Sequence, residues 1–282
     1  MRIEKLEKIF SRKIKSISAL GGGCIASVSK IVTDDNRIFV GKEYSGAKGA
    51  IIRNEANGLK ELGKSGAVRV PSVIYSDEKL LITEYIGNGE KSRDFYENFG
   101  RNFARMHRFS ADKYGFYEDN FIGDNPQKNL PEFDDWLDFY FNNRLMYQIK
   151  LAEKNRYLTS ELKNIFSLLE NKISEIITDS GEKPSLLHGD LWGGNYLVDV
   201  NGDACLIDPA VYYGNREADL AMTKLFGGFS PAFYSSYNEE YPLPDGYDYR
   251  ENIYKLYHIL NHLNLFGAGY YQQAVSLIRY YL

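Results

Sequence analysis

Cysteine, histidine and long apolar runs are the scarce features of this chain. Its 282 residues include only two cysteines, Cys24 and Cys205, and four histidines. Two distant cysteines make neither a disulfide framework nor a metal-ligand pattern, so a reducing cytoplasm is the expected compartment. No apolar stretch approaches the ~20 residues of a membrane span, so no membrane association is expected. The N-terminus, MRIEKLEKIFSRKIK, mixes charges with single apolar residues and lacks the continuous apolar segment of a secretory signal. Excess positive charge is missing too. A net charge of −4 argues against a general nucleic-acid binder, which needs a basic surface to neutralise phosphates. What is present, 44% hydrophobic and 26% charged residues, suits a globular protein with one large domain or two lobes. The 23 tyrosines are expected to pack at the margin of the core, ring inside and hydroxyl out.

Periodicity divides the chain in two. Residues 2–14 carry Ile3, Leu6, Ile9 and Phe10 at helical spacing. Three short strands are expected at 15–20, 27–33 and 37–42, the first two joined by Gly21-Gly22-Gly23-Cys24-Ile25-Ala26. A helix over 50–64 carries Ile52, Leu59 and Leu62 on one stripe. Glu55 lies three residues after Ile52 and four before Leu59, which sets a carboxylate on the buried face. An extended piece at 69–75 and a strand at 80–86 lead to Gly87-Asn88-Gly89, the expected boundary between residues 1–86 and 87–282. Beyond it the period turns helical, with single helices expected over 133–156 and 162–177 among others. The loop 114–131 is rich in Asn, Asp, Gly and Pro, and loops of this length are often functional. The pattern predicts an α+β, bilobal, protein-kinase-like fold: a small antiparallel-sheet N-lobe with one main helix and a larger, mostly helical C-lobe.

The segment SLLHGDLWGGNYLVDVNGDACLIDPA, residues 185–210, holds the densest chemistry. Asn201-Gly202 between two apolar runs predicts a hairpin with a two-residue loop. That register sets Tyr196 against Ile207 and Asn195 against Asp208, aiming an amide oxygen and a carboxylate at one point. Such a pair suits Mg²⁺, which takes one or two protein carboxylates and fills its shell with water and phosphate. Asp190, Asn195 and Asp208 match, in order and spacing, the groups phosphoryl transfer needs. An Asp orients the acceptor hydroxyl and takes its proton, while an Asn and a second Asp hold Mg²⁺ on the triphosphate of ATP. The bland alternative is a polar turn and an ordinary hairpin. His188 is read as holding the turn through backbone hydrogen bonds rather than moving a proton. Lys42, ending the third strand, reaches the phosphates, with Glu55 as ion-pair partner. Gly21, Gly22 and Gly23 cradle phosphates through backbone N–H groups, or else form a plain flexible turn. The backbone of Glu84 and Ile86 is placed to read the adenine edge. Asp219 braces the Asp190 turn. Trp192 sits at the mouth, stacking on substrate or packing in the core.

Together HGDLWGGN, IDPAVYYGNREADLAM, GGGCI, RVPSVIY, ARMHR, FIGDNPQKN and LYHILNHLNLFGAGY resemble the fructosamine kinase (ketosamine 3-kinase) family, from about Leu20 to the C-terminus. The resemblance implies an aminoglycoside-phosphotransferase-like kinase that uses MgATP to phosphorylate the 3-hydroxyl of ketosamines, the adducts of sugars with amines. Spontaneous loss of that phosphate releases the amine, which is deglycation. By the same resemblance Asp190 is the base, Asn195 and Asp208 are the Mg²⁺ ligands, and Trp192 contacts the substrate. Two positions depart from the family pattern: Asn215 replaces the usual His, and Gly41 precedes Lys42 where a β-branched residue is usual. Cys24 occupies a position that makes some members redox-sensitive, which raises an inhibitory disulfide as an expectation. Two other readings stay open: a kinase of another hydroxyl, of aminoglycoside or choline type, and a silent nucleotide-binding protein. The acidic loop residues Glu118, Asp119 and Asp124 could attract an amine under either kinase reading.

Overall fold

The alternating stretches near the N-terminus pair into one antiparallel sheet in the order β1-β2-β3-β5-β4. The computed structural model describes residues 2–21, 26–44, 49–178 and 181–282. The strands are β1 (Ile14–Ala19), β2 (Ala26–Thr33), β3 (Ile38–Tyr44), β4 (Val73–Ser76) and β5 (Leu80–Glu84). Helix α1 (Ile3–Phe10) covers one face, where Leu6 packs with Ile31, Phe39, Leu80 and Ile82. It stops at Phe10, short of the expected end, because Ser11 turns left-handed at φ 52 and returns its N–H to Glu7. Helix α2 (Gly49–Lys64) covers the other face, where Ile52, Ala56 and Leu59 close over Leu81. Side chains alternate along a strand, so Leu80 and Ile82 serve α1 while Leu81 serves α2. Lys42 stands opposite Leu81 in the β3–β5 ladder. Opposed residues share a face, and Lys42 is thereby delivered toward α2.

From α3 (Phe95–His107) onward helices dominate. The 114–131 loop carries a small hairpin of its own, β6 (Asn120–Ile122) and β7 (Asn125–Gln127). The helix expected over 133–156 starts later and changes winding. It begins as α4 (Trp136–Tyr140), where Asp135 caps Asp138 N at 2.8 Å, passes through a π-helical turn over Phe141–Met146, and continues as α5 (Tyr147–Lys154). The helix expected over 162–177 breaks at Asn171-Lys172 into α6 (Ser160–Glu170) and α7 (Ile173–Ile176). Then come β8 (Ser185–Leu187), β9 (Tyr196–Val198), β10 (Ala204–Leu206) and β11 (Tyr212–Gly214). Helices α8 (Arg216–Thr223), α9 (Pro231–Glu240), α10 (Tyr247–Phe266) and α11 (Tyr271–Arg279) complete the chain. Among the described residues no helix is long and apolar enough to cross a membrane. Several tyrosines lie deeper than expected. Tyr140, Tyr237, Tyr254 and Tyr257 are fully buried, and burial is tolerable because their hydroxyls find partners. Tyr257 donates to Gln127 Oε1 at 2.9 Å and Tyr140 to Ile253 O at 3.2 Å.

The β9–β10 hairpin forms one residue out of the expected register. Tyr196 pairs with Leu206, not with Ile207. The cause is the loop, which has three residues instead of two. Asp199 N donates to Asp203 O, and Gly202 N to Asp199 O, each at 2.9 Å. Gly202 sits at φ +81, the left-handed residue that such a three-residue loop requires. The Asp199 carboxylate selects this loop by accepting from Asn201 N at 2.9 Å and Asp203 N at 3.0 Å. Asn195 therefore faces Ile207, whose N–H it accepts at 3.0 Å, and is not directly opposed to Asp208. A slip of one residue ordinarily turns a side chain to the other face. Asp208 escapes that outcome because it leaves the strand in the left-handed region, at φ 54. Aspartate is one of the few residues that tolerate this conformation.

Candidate active site

Strand β3 and helix α2 build the first half of the site. Lys42 Nζ donates to Glu55 Oε1 at 2.6 Å and also pairs with Asp208. Gly41 therefore does not shift the lysine out of place. The other carboxylate oxygen of Glu55 accepts from Tyr44 OH at 2.9 Å. Burial works against the Lys42 ammonium, but the Glu55 and Asp208 carboxylates outweigh it and raise its pKa above the lysine range. Partial desolvation by the surrounding protein opposes ionisation of the half-exposed Asp208, and the adjacent Lys42 holds its carboxyl below the usual range. Helix α2 is itself fixed from below. Asn57 Nδ2 donates to Glu118 at 2.9 Å and Tyr213 OH to Glu61 at 2.8 Å. Between these ties Gly58 lies on the segment after Asp208, where a Cβ would meet Pro209 at 3.2 Å and Val211 at 3.3 Å.

The turn after β8 builds the second half. Asp219, at the start of α8, accepts from His188 N at 2.7 Å and Gly189 N at 2.8 Å. Its carboxylate also meets His107 Nε2 at 3.2 Å, and the other nitrogen of that ring meets Tyr237 OH at 2.7 Å. Burial alone would raise the Asp219 pKa, yet these donors keep it lowered. His188 is buried and works on backbone: Nε2 meets Ile207 O at 3.0 Å, so it carries the proton, and Nδ1 accepts from Asp190 N at 3.3 Å. It ties the turn to the residue before Asp208, as expected from the sequence. Asn195 Nδ2 reaches Asp190 O at 2.7 Å and Asp190 Oδ2 at 3.2 Å. Burial pushes the Asp190 carboxyl well above its ordinary range. The Asn195 bond offsets this in part, and the Asp208 and Asp219 charges add to it.

Lys42, Glu55 and Asp208 form one group and Asp190 and Asn195 another, and Ile207 joins them: its N–H donates to Asn195 O and its O accepts from His188. The donor set fits a magnesium ion. Asn195 has committed its single amide nitrogen to Asp190, which leaves the amide oxygen for a cation, and Asp208 adds a half-exposed carboxylate. No cluster of three or more His, Cys, Asp or Glu suited to a metal occurs among the described residues. Magnesium on a triphosphate needs only one or two protein carboxylates.

The remaining expected residues are more loosely placed. Glu84 ends β5 with its N–H on Ser72 O at 2.9 Å and its carboxylate on Arg69 at 2.5 Å, so only its carbonyl is in question for adenine. Ile86 is buried just beyond. Gly21 is exposed with no neighbour near its Cβ position, while Gly22, Gly23 and Cys24 lie outside the described residues. Cys205 is a buried free thiol. Trp192 is half-exposed. Asn215 caps α8, accepting from Glu217 N at 2.9 Å, which gives it a structural task without an imidazole. The acidic loop is internally occupied: Asp119 pairs with Lys128 and accepts from Asn129 N at 2.8 Å and Leu130 N at 3.0 Å.

Sequence reasoning missed Tyr44, Gly58, His107 and Arg69. Tyr44 was within reach, because it follows Lys42 by two residues on the same strand face. A lone glycine inside a helical pattern was the available signal for Gly58. His107 and Arg69 act over long sequence separations and left no local trace. The main chain of Arg69 bridges to Cys205, and its guanidinium joins Glu84 to Asp199, tying β5 to the hairpin.

Comparison with known proteins bears on the family and the fold. The protein-ribulosamine 3-kinase of Oryza sativa subsp. japonica is 39% identical over 278 residues, covering 96% of this chain and 80% of its own. A solved Thermobifida fusca structure described as a fructosamine-3-kinase superposes with a TM-score of 0.90 at 30% identity, covering 99% of this chain and 97% of its own. An ADP-bound aminoglycoside phosphotransferase shares the fold alone, with a TM-score of 0.63 at 16% identity over 98% and 96% of the two chains. The sequence profile described as fructosamine kinase matches residues 3–282, and the chain belongs to the fructosamine kinase family.

Proposed function

We propose that the protein transfers the γ-phosphoryl group of ATP to the 3-hydroxyl of a ketosamine, leading to deglycation. Residues 1–86 are the nucleotide-binding lobe, and residues 87–282 the catalytic and substrate-binding lobe of a cytoplasmic enzyme. The observation that carries this reading is the pairing of Lys42 with Glu55 and Asp208, and of Asn195 with Asp190 across from Ile207, the residue before Asp208, in a member of this family. Lys42, held charged and aimed by Glu55, neutralises phosphate oxygens. The sequence assigns phosphate binding to backbone N–H groups of Gly21, Gly22 and Gly23, and the Glu84 carbonyl and Ile86 backbone read adenine. Asn195 and Asp208 would hold Mg²⁺, which supplies charge neutralisation on the transferred group. Asp190 orients the acceptor hydroxyl and takes its proton. Its raised pKa makes it a stronger base than an exposed carboxylate, closer to the pH at which it works. Trp192 borders the sugar.

The test is ATP consumption against fructosamines, ribulosamines, erythrulosamines and aminoglycosides, with Asp190→Asn as control. Turnover of a ketosamine that is lost in Asp190→Asn supports the reading. Turnover of aminoglycosides alone, or of nothing, overturns it.

A further inference from the structure

A row of aromatic rings leads outward from the Asp190 turn. Trp192 meets Phe226 edge-on, with ring centres 6.3 Å apart. Phe226 meets His262 at 4.8 Å, and His262 meets Phe266 at 5.3 Å and Tyr270 at 5.1 Å. The rings come from three separate places: the Asp190 turn, the segment after α8, and the end of α10 with the turn behind it. Burial does not explain them, since Trp192 is 41% exposed, Phe226 38% and Phe266 66%. They are nonetheless held in position. The Trp192 ring lies across Gly194, where a Cβ would come within 2.4 Å of it. His262 Nδ1 meets His258 O at 2.7 Å. A carbonyl only accepts, so Nδ1 carries the proton and Nε2 keeps a lone pair. Burial lowers the His262 pKa and favours the neutral ring. Lys224, two residues before Phe226 in the chain, pairs with Glu251. The five residues of this wall therefore offer ring faces and one acceptor and carry no positive charge themselves.

We propose that this wall binds the amine side of the substrate: the secondary ammonium of a ketosamine together with an apolar or aromatic substituent. The proposal rests on the phosphoryl-transfer reading. With the 3-hydroxyl at Asp190, the amine nitrogen is two carbons further along the sugar, on the side of Trp192. An ammonium is attracted to aromatic faces, and His262 Nε2 can accept its N–H. The substituent continues over Phe226, Phe266 and Tyr270. Adducts of alkylamines that carry an aromatic ring are then preferred to adducts of small ones, and the wall sets the substrate class by what the sugar is attached to.

The experiment compares methylamine and benzylamine ketosamines of one sugar, in turnover and in calorimetric binding without ATP. Phe266→Ala is the variant, because Phe266 is 66% exposed and its loss leaves the core intact. The benzylamine adduct is expected to show KM and Kd lower by about tenfold, and Phe266→Ala to shrink that ratio below about threefold. Equal affinities, a ratio that Phe266→Ala leaves unchanged, or no binding of either adduct overturns the proposal. A binding preference without phosphorylation of either adduct supports the wall and refutes the proposed reaction instead.

Discussion

Replacing Asp219 by asparagine tests how the Asp190 turn is held. The carboxylate takes three donors, from His188 N, Gly189 N and His107 Nε2, at 2.7, 2.8 and 3.2 Å. An asparagine keeps one acceptor oxygen. In its better orientation that oxygen serves His188 and His107, and the amide NH₂ is turned against the Gly189 N–H. A buried donor without a partner costs about 1–3 kcal/mol, and the two retained bonds lose their charge assistance. The sum is about 3 kcal/mol, or a melting temperature lower by roughly 6–12 °C. The kinetic effect is larger and more diagnostic. Displacing Gly189 displaces Asp190, and a 1 Å misplacement costs on the order of 100-fold in kcat. KM for ATP should stay within about threefold, because Lys42, Glu55 and Asp208 are untouched. Acid adds a second signature. The Asp219 pKa is lowered from 3.8 by folding, so its stabilisation is present above that value and fades as pH falls through the folded one. The melting difference between the two proteins should vanish there. Thermal melts and initial rates well below the melting temperature decide the matter. Destabilisation with kcat preserved would refute the claim that Asp219 positions the turn.

Glu55→Gln should lower kcat/KM for ATP by about 10- to 100-fold, because the Lys42 ammonium loses its charged anchor. An unchanged KM and kcat would remove Glu55 from the site. Asp190 must be ionised to act, and its pKa is raised, so kcat/KM should fall with decreasing pH around a midpoint above 3.8. A rate constant from about pH 8 to about pH 4 argues against Asp190 as base. Gly58→Val would drive its side chain into Pro209 and Val211 and push α2 away from them. A loss of about tenfold or more in kcat/KM for ATP is expected, and a fully active variant would show that α2 need not sit so close.

How much of this site the sequence disclosed depended on the range of the interaction. Lys42 and Glu55 were legible because strand alternation and helix periodicity each point a side chain at the shared interface. Asp190, Asn195 and Asp208 were legible as residue types at a spacing. Their geometry was not, because the hairpin register turned on the Asp199 carboxylate, whose bonds to Asn201 N and Asp203 N favour a three-residue loop. The π-helical turn at Phe141–Met146 left no trace, since the apolar pattern continues through it. The brace from His107 to Asp219 spans more than a hundred residues and exists only once the helices pack.

The seating of α2 bears on control. In protein kinases the equivalent helix swings, and its lysine–glutamate pair makes and breaks with signalling. Here Asn57, Gly58 and Glu61 fasten three successive points of α2 to Glu118, to Pro209 and Val211, and to Tyr213. A swing would have to break two hydrogen bonds and open an apolar contact at once. Switching by displacement of this helix therefore carries a cost that a loosely seated helix would not.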